Sequence, residues 1–138
     1  MHSLTTLPVQ IVWEDHQFAA QVKAPGFLFT TGGSSVPAVL ENLRNLVDDY
    51  LAHEGKNHAH WQGVRPADLH FECTYDLTAF FEHFKELKIS AIAARAGINP
   101  NLLQQYVSGN KRASESQAKK IEAAVHHLAN ELRQIALG

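Results

Sequence analysis

The chain has 138 residues, of which 45% are hydrophobic, with a net charge of −2 and a single cysteine. That is enough apolar side chain for one ordinary domain or two small ones, which excludes wholesale disorder. The lone Cys73 excludes an internal disulfide framework. No apolar run approaches the roughly 20 residues needed to span a bilayer. Met1-His2-Ser3-Leu4 does not open like a secretory leader, so a soluble cytoplasmic protein is expected.

The charge is unevenly spread. Residues 1–84 carry Lys23, Arg44, Lys56 and Arg65 against ten acids, a balance of −6. Residues 85–138 carry eight Lys/Arg against Glu86, Glu115, Glu122 and Glu131, a balance of +4. An acidic front joined to a basic back suggests two kinds of partner.

Pro8 to Trp13 alternates, with Val9, Ile11 and Trp13 facing one way, which predicts a strand. Glu14-Asp15-His16 makes a polar turn, and Gln17 to Lys23 alternates again, so a hairpin is expected. Pro25-Gly26 makes a second turn. Phe27 to Thr31 makes a third strand, broken at Gly32-Gly33. Ser34 or Ser35 can cap a helix whose first turn holds Pro37. Val36, Val39, Leu40, Leu43, Leu46, Val47, Tyr50 and Leu51 recur on it at helical spacing. Residues 53–68 read as a polar, irregular loop. Leu69, Phe71 and Cys73 alternate in a fourth strand. The order is β-β-β-α-β, with the helix covering one face of a small sheet.

Tyr75-Asp76 is the expected junction, dividing the chain into residues 1–74 and 75–138. Asp76 caps a helix with an apolar stripe of Leu77, Phe80, Phe81, Phe84 and Leu87. Ser90 caps the next helix, which runs to Ala96. Gly97 takes a turn that needs positive φ, and Asn99-Pro100 opens a third helix that stops at Gly109. Ser114-Glu115-Ser116-Gln117 resembles a capping box and starts a last helix, to about Ala136. On it Ala118, Ile121, Val125, Leu128, Leu132 and Ile135 form a heptad seam. A compact bundle needs only the first half of that seam. Leu128, Leu132 and Ile135 are therefore expected to make a homodimer or higher homo-oligomer, with packing on the chain's own sheet as the alternative.

Ser90 to Gly109 is the stretch with the most specific chemistry. It reads as a helix-turn-helix, with Ala93 at the close approach and Ile92, Ile98, Leu103 and Tyr106 as the wedge. The outward face then holds Asn99, Asn101, Gln104, Gln105 and Ser108, with no acid among them. Asn and Gln can pair with the N6 and N7 of adenine. Lys88, Arg95, Lys111 and Arg112 suit phosphates.

Enzyme readings are weak, and neither a catalytic set, a cofactor nor a metal is expected. Gly32-Gly33-Ser34-Ser35 lacks the lysine and spacing of a phosphate loop. His53, Glu54, His58 and His60 lack the HExxH pattern. His126-His127 has no convergent ligand set, and the acids show no two-metal cluster. Cys73 fits a buried apolar role.

On these residues the chain resembles the HicB-type antitoxins of bacterial type II toxin–antitoxin systems, in the version that ends in a helix-turn-helix. The front resemblance runs from Val9 to Leu51, with Pro25-Gly26 and Leu40-Glu41-Asn42. The back one runs over YDLTAFFEHF and KISAIAARAGINPNLLQQYVSG. The chain departs from the family where Glu14-Asp15-His16-Gln17 replaces a usual glycine. The resemblance implies an α+β chain: a partial ribonuclease-H-like domain without activity, then an all-α, lambda-repressor-like helix-turn-helix domain. The first would bind and neutralise a small, basic, messenger-RNA-cleaving toxin of the HicA type. The second would bind operator DNA and repress the chain's own operon. A solitary DNA-binding transcriptional regulator, whose front domain senses or oligomerises, is the alternative.

Overall fold

The alternation at the start of the chain becomes two long paired strands. In the computed structural model, which describes residues 4–138, β1 (Thr5–Glu14) runs antiparallel to β2 (Gln17–Ala24). The reading of Met1-His2-Ser3 lies outside the described residues. Leu7, Val9 and Ile11 of β1 and Phe18, Ala20 and Val22 of β2 turn to one face and are buried. Gln10, Gln21 and Lys23 turn to the other and are exposed.

The hairpin loop is Asp15-His16, and both residues have positive φ, 51° and 61°. Positive φ at both central positions is the type I′ requirement, the turn whose twist matches its strands. Asp and His tolerate that region better than most side chains, and glycine better still. His16→Gly is therefore expected to stabilise the chain by about 1 kcal/mol, seen as a higher urea midpoint at unchanged slope. A lower midpoint would mean that the imidazole makes contacts that outweigh the turn.

β3 (Phe27–Gly33) pairs antiparallel with β2. The expected break at Gly32-Gly33 is corrected: both residues stay in the strand, opposite Ala19 and Phe18. Gly33 serves close approach instead, since a Cβ there would lie 3.0 Å from Val39 Cγ1. α1 (Val36–Ala52) begins at Ser35, whose side chain accepts from the Ala38 N–H at 3.2 Å. It buries Val36, Val39, Leu43, Val47, Tyr50 and Leu51 against β2 and β3. It is also the crossover that lets β4 (Leu69–Tyr75) lie parallel to β1. The strand order is β3-β2-β1-β4.

The expected solvated loop at 53–68 is corrected as well. It forms three single 3₁₀ turns and buries Trp61, which is 2% exposed. The Trp61 indole N–H donates to the Pro25 carbonyl at 2.6 Å, pinning the segment to the β2–β3 turn.

α2 (Leu77–His83) is capped by Asp76, which accepts from the Ala79 N–H at 2.7 Å. It stops before Phe84, and Phe84 to Leu87 form a turn, so the apolar stripe is shorter than its spacing suggested. The described residues form two compact units that part between His83 and Phe84, beyond the expected junction at Tyr75-Asp76. α2 packs on β1 and β4 within the first unit.

The second unit holds α3 (Ile89–Ala96), α4 (Pro100–Ser108) and α5 (Glu115–Gln134). Lys88, not Ser90, is the N-cap of α3, through its backbone carbonyl alone. Ser114 does cap α5, accepting from the Gln117 N–H at 3.1 Å. The described residues are thus α+β, a four-stranded mixed sheet and five α-helices. No helix among them is long and apolar enough to cross a membrane.

Candidate nucleic-acid interface

α3 and α4 meet at a tight turn. Gly97 closes α3 in the left-handed region, at φ 70°, and the Ile98 N–H returns to the Ala93 carbonyl at 3.0 Å. That paired ending needs a residue without Cβ strain. Behind the turn Ile92, Ala93, Ile98 and Leu103 are buried, and Tyr106 is half-buried. The wedge expected from the sequence is thus in place.

Asn101, Gln104, Gln105 and Ser108 are all exposed on α4. Their spacing of i, i+3, i+4 and i+7 puts them on one face. No acid occurs from Pro100 to Arg112. Lys111 and Arg112 follow the helix and are exposed, as is Lys88. The face therefore offers amide groups for base edges and cations for phosphates beside them. The Ser108 hydroxyl is turned back onto the Gln105 carbonyl at 3.2 Å.

Two of the expected contact residues, both exposed, also make hydrogen bonds within the chain. Asn99 is the N-cap of α4, and its side-chain oxygen accepts from the Asn101 N–H at 2.8 Å. It precedes the outward face and holds the helix start. Arg95 donates to Glu131 on α5 at 3.0 Å and lies 3.4 Å from His127 Nδ1. The Arg95 guanidinium, by its hydrogen bond and then its charge, holds the Glu131 carboxyl below its ordinary pKa. Arg95 therefore ties α3 to α5, a role the sequence hid because the partners lie 36 residues apart.

The seam on α5 is partly used. Ile121 is buried, Ala118, Val125 and Leu128 are half-buried, and Leu132 stays 56% exposed; Ala124, outside the seam, is buried as well. Ile135 lies past the helix end in extended backbone, so it is not the next seam position.

Among the described residues no group of three or more His, Cys, Asp or Glu side chains could hold a metal ion. Cys73 sits half-buried on β4, and burial pushes its thiol up, away from a reactive thiolate. No protein-family model, no curated protein and no solved structure matches the chain.

Proposed function

We propose that this chain is an antitoxin of the HicB type that also represses its own operon by binding operator DNA. The observation that carries the DNA half is the exposed, acid-free amide face of α4, set behind the Gly97 turn and flanked by Lys111 and Arg112. The toxin half rests on the resemblance and on charge. The unit that ends at His83 carries the acidic balance, which suits a small basic toxin, and the unit from Phe84 carries the basic one. We read the first as a partial ribonuclease-H-like domain, on its β-β-β-α-β order, and the second as lambda-repressor-like, on its helices about Gly97.

The test is binding of the purified chain to the DNA upstream of its own reading frame, followed by fluorescence anisotropy across salt concentrations. Specific binding should exceed that to scrambled DNA by at least about a thousandfold and weaken steeply with salt. Equal affinity for both DNAs would overturn the reading. Co-purification with the product of the adjacent reading frame tests the toxin half. Specific DNA binding with no such partner would favour the solitary regulator.

The exposed end of α5 supports a homodimer, the usual form for a two-fold operator. Leu132→Asp should then lower the mass on a sizing column from dimer to monomer. An unchanged mass would remove Leu132 from the interface.

A further inference from the structure

The first unit holds a cavity of about 330 Å³ beside the sheet's β3 edge and the last turns of α1. Phe27, Phe29 and Tyr50 form the aromatic part of its wall, and Trp61 lies behind them. The Phe27 ring lies 4.8 Å from that of Tyr50 and 5.0 Å from that of Phe29, with Trp61 stacked on Phe27 at 5.5 Å. Asp49 and Glu54 also line it, both exposed, and no lysine or arginine does.

The electrostatics of this corner are unbalanced. A helix C-terminus carries the negative end of the backbone dipole and favours cations. The last turn of α1 has no basic residue, carries Asp49, and is followed by Glu54. His53 also lines the cavity, with Nδ1 lying 2.9 Å from the Asp49 carbonyl and 3.2 Å from its carboxylate. The helix end and two carboxylates beside aromatic side chains all attract the same thing, a cation.

We infer that this cavity receives an arginine side chain of a basic protein partner. The inference rests on the proposed reading that the first unit binds such a protein, and it names the surface. Arginine fits better than lysine, because a planar guanidinium can lie on a ring and still fork to carboxylates. The volume leaves room for a guanidinium side chain.

The test uses the full chain, isotopically labelled, titrated with a blocked tetra-arginine peptide and with its neutral tetracitrulline counterpart. The expected amide shifts centre on Phe27 to Phe29 and Leu46 to Glu54, and tetracitrulline gives none. Asp49→Asn combined with Glu54→Gln should weaken tetra-arginine about tenfold. Leu46→Lys, at a position 39% exposed on α1, should block the cavity with the chain's own cation. Spectra unchanged elsewhere establish that both variants fold.

Shifts scattered over other acidic faces, equal shifts with tetracitrulline, or undiminished binding by the double variant would overturn the assignment. If the basic protein encoded beside this chain binds wild type and Leu46→Lys alike, the cavity assignment falls and the antitoxin reading stands. If tetra-arginine occupies the cavity but that protein does not bind wild type, the antitoxin reading falls and the cavity keeps arginine as its ligand class.

Discussion

Replacing Gly26 by alanine should destabilise the first unit by about 3 kcal/mol. Two costs combine. Gly26 has φ +91°, a backbone conformation that a side chain makes unfavourable. A Cβ there would also run into the Tyr50 hydroxyl and come within 3.2 Å of the His58 ring. Tyr50 is 7% exposed and packs on Phe27, so it cannot swing clear without opening the aromatic corner. The turn cannot easily retreat either, because the Pro25 carbonyl holds the Trp61 indole at 2.6 Å. Both tryptophans of the chain, Trp13 and Trp61, lie in the first unit, so their fluorescence reports its unfolding alone. Gly63→Ala is the control. It shares a positive φ, 78°, but its Cβ would meet nothing within 4 Å, so only the backbone cost of about 1 kcal/mol applies. Equal losses in the two variants would mean that the Tyr50 contact relaxes at no cost.

What could be read from the residues was what is local. Val9, Ile11, Phe18, Ala20 and Val22 alternate because one sheet face is buried, and that period of two survives any long-range detail. Ser35 and Pro37 mark the start of α1 by their own chemistry. The α4 face was legible for the same reason. A glycine-closed turn and four polar residues at helical spacing need no knowledge of distant neighbours. What escaped was set at a distance. Trp61 sits in a polar stretch with no periodicity, and its burial depends on Pro25, 36 residues earlier. The stripe of Leu77, Phe80 and Phe81 continues in spacing into Phe84 and Leu87, which belong to the second unit. Periodicity alone cannot register where one core ends and another begins. Ile135 keeps heptad spacing although the helix has ended at Gln134. The Arg95–Glu131 ion pair escaped as well, because its partners lie 36 residues apart.

If the chain binds its upstream DNA as proposed, the double variant Asn101→Ala, Gln104→Ala should lose most of the preference for that DNA while keeping its affinity for scrambled DNA. Each amide that pairs with a base edge is worth about 1–3 kcal/mol of discrimination. The two side chains lie one turn apart on one face of α4, so their losses couple and the double value need not equal the sum. Lys111→Ala should behave oppositely, weakening all sequences alike and lowering the salt slope by about 1. Arg95→Ala separates the structural account from the simpler reading of its charge. Because Arg95 is held by Glu131 at 3.0 Å, its removal should leave the salt slope unchanged. Glu131→Gln, which weakens that hold, should raise the slope by about 1 as the guanidinium becomes available to a phosphate. A slope that falls in Arg95→Ala would mean that DNA draws Arg95 off Glu131 on binding, and the α3–α5 tie would then be a property of the unbound chain alone.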